Sequence, residues 1–155
     1  MKKNIDASKV TMTELILPND TNILGNLLGG RLMHWIDIAG AMSASRHSNK
    51  VVATIEVDNL QFKNPVKMGE ILIIQAKLTW VGRTSMEVMV ESFAENVQSG
   101  EKILANRSYV IYVALDDDGK PVPVPELELN TESERLENMR AEERRKVRLM
   151  RLEKE

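Results

Sequence analysis

The spacing of apolar positions along this chain changes period twice, and each change predicts an element. Val10 to Leu17 alternates apolar and polar residues and predicts a short first strand, ended by Pro18. Asn19 to Gly30 is turn chemistry: Asn, Asp and Thr residues that bond their own backbone, and glycines that permit positive φ. From about Gly29 to about Arg46 the chain is apolar almost all the way round, the pattern of a helix enclosed by a core. Arg46 and His47 near its end suit the negative pole of the helix dipole. Beyond Lys50 the period shortens. Val51–Phe62, Ile71–Val81, Met86–Ala94 and Lys102–Leu115 read as strands, separated by turns rich in Pro, Gly, Asn and Ser. In the second of these, Leu72, Ile74, Ala76, Leu78 and Trp80 share one side.

One strand, one apolar helix and four antiparallel strands make an α+β plan, in which the sheet must curl around the helix to cover it. Met1–Lys9 is expected to be a flexible leader, 10–125 the domain, and 126–155 a charged helical extension. Pro121 to Pro125, with a proline at every second position, predicts an extended exit from the domain. Thr131-Glu132-Ser133-Glu134 has the form of a capping box opening the last helix. Leu136, Met139, Val147 and Met150 fall on one side of that helix, interrupted by Glu143. Its Arg144-Arg145-Lys146 cluster is interleaved with glutamates, which favours a surface helix or subunit contact over a nucleic-acid arm.

Composition narrows the chemistry. A net charge of -2 gives no footprint for nucleic acid, and the absence of cysteine removes disulfides, thiolate catalysis and cysteine zinc sites. With two histidines, a histidine-rich metal site is not expected either. The N-terminal residues lack the apolar run of a signal peptide, and no stretch is apolar enough to span a bilayer. The expectation is a cytoplasmic protein without metal or cofactor. Asp116-Asp117-Asp118 lacks the later ligands of a calcium loop and reads as a solvated turn. His34 reads as a helix-surface or partly buried side chain rather than a catalytic one.

One residue stands against its surroundings. Asp37 is a carboxylate in the middle of the apolar helix, where Asp is a poor helix former and an unpaired charge is costly. It is either functional or paired, with Arg31 or a partner subunit as the candidates. Asn22 taken alone is a turn residue or a cap.

Several segments together resemble a known family. Pro18-x-Asp20-Thr21-Asn22, Gly25, Gly29-Gly30, Met33 and Asp37-x-Ala39-Gly40-Ala41 are similar to the signature of the hotdog-fold acyl-CoA thioesterases, closest to the cytosolic acyl-CoA hydrolase branch. Ser45-Arg46-His47, Asp58-x-x-x-Phe62-x-x-Pro65-Val66-x-x-Gly69-Glu70, Val81–Met86 and Tyr109-x-x-Tyr112-Val113-Ala114-Leu115-Asp116 continue the match, as does Gly119–Pro125. The resemblance runs from about residue 11 to 125. Leu28 departs from it, standing where members often carry an aromatic residue or His before the Gly-Gly pair, which would reshape the pocket wall.

The resemblance implies a single hotdog domain and hydrolysis of fatty acyl-CoA to free acid and CoA, with CoA a part of the substrate rather than a cofactor. Thioester hydrolysis needs a water or nucleophile activated on one side and a carbonyl polarised on the other. By resemblance Asp37 is the catalytic acid's position, acting as general base or nucleophile, and Asn22 the second catalytic position, orienting water or carbonyl. Gly30 offers a helix-terminal N–H to the oxyanion, and Gly29 gives the pantetheine arm room. CoA phosphates call for cations, for which Arg83 with Thr84 and Ser85, and Lys63 with Asn59 and Phe62, are the candidates. In related enzymes the two catalytic residues meet across a subunit boundary, which implies a homodimer at least and a trimer of dimers, a hexamer, by extension. Two alternatives are a non-catalytic module that senses acyl-CoA and a hotdog hydratase. The hydratase branch pairs Asp with a His in a local motif that His34 does not match.

Overall fold

The computed structural model describes residues 1–58 and 60–154. In chain order the elements are β1 (Lys2–Asn4), β2 (Val10–Leu15), α1 (Gly29–Ser48), β3 (Val51–Asp58), β4 (Ile71–Val81), β5 (Ser85–Glu95), β6 (Lys102–Leu115), β7 (Glu126–Glu128) and α2 (Glu132–Lys154). Five strands form one antiparallel sheet in the order β2-β4-β5-β6-β3. The hotdog architecture expected from the sequence is present, with α1 across the inner face of the curved sheet.

Alternation in the central strands builds the core. Leu72, Ile74, Ala76 and Leu78 of β4, Met86, Val88 and Val90 of β5, and Val110, Tyr112 and Ala114 of β6 are buried together with Leu32, Ile36, Ala39 and Ala44 of α1. Trp80 does not follow Leu78 inward. Leu78 pairs with Val88 but Trp80 pairs with Glu87, so Thr79 is an extra residue, and this bulge turns Trp80 to the opposite face.

Helix α1 runs to Ser48, beyond the expected Arg46, and is closed by Asn49 in the left-handed conformation (φ 57°), whose N–H bonds Ser45 O. It is not enclosed all round. Leu32, Ile36, Ala39, Gly40, Ser43, Ala44 and His47 are buried on one face, whereas Met33, Ile38 and Met42 are exposed. Strand β3, which flanks this helix, is a sheet edge and carries exposed Val51 and Ile55. The apolar surface left open on α1 therefore adjoins an unpaired strand edge.

The ends of the chain are more tightly held than expected. Met1–Lys9 is no loose leader: β1 pairs in parallel with β7, Ile5 and Ser8 are buried, and the Lys3 ammonium bonds Arg46 O and Asn49 Oδ1. The proline-rich segment is no free exit either. Val122 N–H bonds Ala114 O, Val124 N–H bonds Arg83 O, and His47 Nε2 donates to Pro125 O at 2.7 Å.

The charged extension lies on the outer face of the sheet. Its capping box forms as the sequence predicts: Thr131 Oγ1 accepts from Glu134 N–H at 3.0 Å, and Glu134 Oε1 accepts from Thr131 and Asn130 N–H. Trp80 Nε1 donates to Glu142, and Asn138 donates to Thr79 O. The anchor is Glu87, fully buried on β5. Its carboxylate accepts from Arg144 Nε and Nη2 at 3.0 and 2.8 Å, from Arg148 Nη1 at 3.1 Å and from Thr79 Oγ1 at 2.5 Å. The Arg144 guanidinium also lies over the Tyr109 ring, 3.7 Å from its centre. No helix among the described residues is long and apolar enough to cross a membrane.

Two predictions follow from these anchors. Removing one partner of a buried ion pair leaves the other charge in low dielectric, so Arg144→Ala should destabilise the fold by about 3 kcal/mol in urea titration. His47 is buried and neutral, its Nδ1 without a partner, and burial holds its pKa below the ordinary value. The unfolded chain therefore binds a proton that the folded chain resists, so stability should fall as pH drops below about 6.5. His47→Gln should flatten the unfolding free energy between pH 7 and 5.5; an unchanged slope would assign it to other groups.

Candidate active site

Asp37 lies two turns into α1, facing the edge of the sheet. Across from it, Thr54 of β3 and Tyr112 of β6 are paired neighbours, so their side chains reach the same face of the sheet. Thr54 Oγ1 donates to Asp37 Oδ1 at 2.8 Å. The Tyr112 hydroxyl lies 2.8 Å from Asp37 O and 3.1 Å from the same Oδ1. Asp37 is half-buried, and its Oδ2 accepts no hydrogen bond among the described residues. One carboxylate oxygen is fixed by two neutral donors while the other carries none among the described residues.

Arg31 is not the salt-bridge partner of Asp37 within the chain. Arg31 instead reaches Asp20, at 3.2 Å, and Asp20 is buried while accepting Leu17 N–H at 3.0 Å. That pair holds the start of the loop against the first turn of α1, as does the bond from Leu28 N–H to Asp20 O.

Asn22 does what its residue type favours in a loop. Its Oδ1 accepts from Leu24 N–H at 2.9 Å and Asn26 N–H at 3.2 Å, and Gly25 turns the chain at φ +78°. This closes a small loop pinned to the next segment by Leu27 N–H to Val66 O and Met68 N–H to Gly25 O. With Oδ1 occupied, the exposed Nδ2 donors are the free end of the Asn22 amide. Ile23 and Leu24 at the tip are exposed apolar residues.

Gly29 and Gly30 open α1, and no side chain caps the helix, so its first N–H groups stay available. A Cβ at Gly29 would lie 3.5 Å from Phe62 Cε2, whereas the space at Gly30 is open. Seven residues of helix put Gly30 about 10 Å from Asp37 along the axis. Within one chain these two cannot act on the same carbonyl. No hydrogen bond or ion pair among the described residues joins Asn22 to Asp37 either. On one protomer Gly30 and Asp37 are therefore held apart.

The candidate CoA residues are also divided. Lys63 follows Phe62 beside the start of β6, its N–H bonded to Ala105 O. Arg83, Thr84 and Ser85 form the β4–β5 turn, where Thr84 O accepts from Ala114 N–H. Ala105 and Ala114 are nine residues apart on β6, roughly 30 Å along the strand. The Arg83 and Lys63 side chains are exposed, and Asn59 lies outside the described residues. His34 is exposed on α1, and no group of three His, Cys, Asp or Glu residues among those described could hold a metal ion.

From sequence, neither Thr54 nor Tyr112 is assigned a role at the site, and Tyr112 enters only as part of the family match. Each is a hydroxyl-bearing residue at an inward position of a strand whose neighbours on that face, Val52 and Val57 or Val110 and Ala114, are apolar. A polar residue on the core face was the available signal. Tyr112 has a second requirement: a Cβ at Gly40 would run into its hydroxyl and sit 3.0 Å from Cε2 and Cζ. Gly40→Ala should therefore cost about 1–3 kcal/mol of stability, read by thermal or urea unfolding.

Comparison with known proteins gives a consistent picture. Residues 24–101 match the thioesterase superfamily. The chain is 41% identical over 127 residues to the uncharacterized acyl-CoA thioester hydrolase YkhA of Bacillus subtilis, covering 82% of this chain and 74% of that one. A hexameric acyl-CoA thioesterase superposes with a TM-score of 0.92 at 36% identity, covering 98% and 97% of the two chains. An acyl-CoA hydrolase of Staphylococcus aureus, solved with butyryl coenzyme A, coenzyme A and coenzyme A disulfide, superposes with a TM-score of 0.91 at 34% identity, covering 99% and 96%. That enzyme has also been solved as Asn→Ala, Asp→Ala and Thr→Ala variants. The altered Asp lies 15 residues after the Asn, and the Thr 17 after the Asp.

Proposed function

From the premise that this chain belongs to the thioesterase superfamily and is an acyl-CoA thioester hydrolase, we propose that it cleaves fatty acyl-CoA with Asp37 and Asn22, held by two copies of the chain. The observation that carries this is Asp37 itself, a half-buried carboxylate with Oδ1 fixed by Thr54 and Oδ2 free. Support comes from spacing: Asn22, Asp37 and Thr54 repeat the 15- and 17-residue intervals of the positions altered in the Staphylococcus aureus enzyme.

Asp37 Oδ2 takes a proton from water, whose oxygen attacks the thioester carbon, or attacks that carbon directly. The oxyanion is met by the Gly30 N–H at a helix N-terminus, and the Asn22 Nδ2 donors orient the water or carbonyl. The C–S bond then breaks: on the water route the CoA thiolate recovers its proton from the Asp37 carboxyl, and on the direct route it takes one from solvent while water hydrolyses the Asp37–acyl anhydride to the free acid and the carboxylate. Because one protomer holds Asp37 about 10 Å from Gly30 along the helix, a second copy supplies the Asn22 loop and the helix start. The exposed apolar flank of α1, the open edge of β3 and the Ile23-Leu24 tip are the surfaces that such a copy would cover. Gly29, Phe62, Lys63 and Asn59 from one end of the subunit, and Arg83, Thr84 and Ser85 from the other, are assigned to CoA on the same basis.

The test is thiol release from a panel of short- to long-chain acyl-CoAs. Asp37→Asn should lower kcat by about 10²–10⁴-fold, Asn22→Ala by about 10²-fold, both with wild-type unfolding midpoints. A wild-type protein that binds acyl-CoA of every length and hydrolyses none would replace this reading with the sensing module.

A further inference from the structure

The hydroxyl of Tyr112 is among the most deeply placed polar groups in the protein, and the hydrolytic scheme above makes no use of it. The residue is fully buried, its ring packed in the core between sheet and helix. Its single proton faces two acceptors on one residue, the Asp37 carbonyl at 2.8 Å and Asp37 Oδ1 at 3.1 Å. Space for it exists because position 40, one turn further along α1, has no side chain. Packing alone does not require this arrangement. Phe would fill the same volume, and without the hydroxyl the close approach at Gly40 would be eased.

We infer that Tyr112 is a positioning residue for Asp37: its hydroxyl ties the carboxylate to the backbone of the same residue and so fixes which oxygen faces the thioester. This rests on the assignment of Asp37 as the catalytic carboxylate. Thr54 alone anchors Oδ1 from one side, and a carboxylate held by one donor can rotate about its Cβ–Cγ bond and exchange its two oxygens. The second donor approaches from β6 rather than β3, so the two bonds together define the plane of the group. Oδ2 is then presented in one orientation, the condition for proton transfer or attack along a short path. Tyr112 remains a donor throughout, because burial, followed by the charge and hydrogen bond of Asp37, raises its pKa well above the ordinary tyrosine value. It is neither a base nor a nucleophile.

The groups around Asp37 keep the interpretation of a pH profile simple. From β3 it faces Thr54, which does not titrate, and from β6 it faces Tyr112, which stays protonated. On its own helix His34 lies one turn earlier and exposed, and Arg31 is engaged by Asp20. The β3 carboxylates Glu56 and Asp58 pair with Ile111 and Tyr109, and Glu56 meets Arg148 and Arg151 on the outer face.

The experiment compares wild type, Tyr112→Phe and Asp37→Asn for kcat and KM on one acyl-CoA between pH 4.5 and 9. Tyr112→Phe should lower kcat about 5- to 50-fold with KM changed less than threefold. Its acid limb should move to higher pH by about half a unit or more, because the carboxylate has lost a donor that favours its charged form. A Tyr112→Phe protein with wild-type kcat and acid limb overturns the proposal while leaving Asp37 in place. Asp37→Asn with undiminished kcat overturns both the proposal and the assignment beneath it. If Tyr112→Phe does not reach the wild-type assembly, Gly40→Ala takes its place. Its methyl displaces the hydroxyl with Tyr112 retained, and the same loss of kcat and acid-limb shift are expected, their absence again counting against the proposal.

Discussion

The carboxylate of Asp37, set in an apolar helix, is hydrogen-bonded by the protein on one oxygen only among the described residues. That constraint organises the surrounding structure. Thr54 and Tyr112 must be cross-strand neighbours to reach the same oxygen, which fixes the pairing of β3 with β6 at this level. The helix must lie close enough for a tyrosine hydroxyl to touch its backbone, which requires a glycine at position 40. The bonds from Thr54 and Tyr112 satisfy Oδ1 and leave Oδ2 of this half-buried residue to solvent or a ligand.

The scaffold meets this demand at a price in surface. Holding Asp37 at the sheet's edge leaves the outer edge of β3 unpaired and one apolar flank of α1 uncovered, and the loop that carries Asn22 ends in an exposed Ile-Leu pair. All three features fit a site shared between copies, in keeping with the hexameric assembly of a thioesterase that this chain resembles over nearly its whole length. The opposite face of the sheet is treated differently. There the Glu87 carboxylate draws Arg144 and Arg148 of α2 onto the strands, and the polar outer positions of β5 and β6 are covered by a charged helix rather than by a second apolar layer. Breaking such a cluster is costly because it strands a buried charge.

Much of this was legible in the sequence, for physical reasons that can be named. Alternation fixed Ile71–Val81 and Lys102–Leu115 to the residue, because a half-buried strand must alternate. The capping box at Thr131 formed as read. Asp37 stood out because a charge in an apolar run needs a reason. What stayed hidden depends on tertiary contact. The bulge at Thr79 that turns Trp80 outward has no local signature, and Met1–Lys9 gained its order from β7, more than a hundred residues away. Helix α1 read as enclosed because sequence hydrophobicity does not distinguish a core from a subunit interface. Thr54 lies in no motif and Tyr112 has only its place in the family match, and neither shows its role, since only the fold brings them to the same oxygen.

The central claim is that catalysis uses Asp37 of one copy and Asn22 of another. It is tested most directly by refolding Asp37→Asn and Asn22→Ala together at equal concentration and measuring thiol release by the mixture. Random pairing gives mixed dimers in which one of the two sites carries both native residues, so about a quarter of wild-type activity should return from two inactive parents. A mixture no more active than its parents, with mixed oligomers demonstrated, would place both residues in one chain's site and contradict the account.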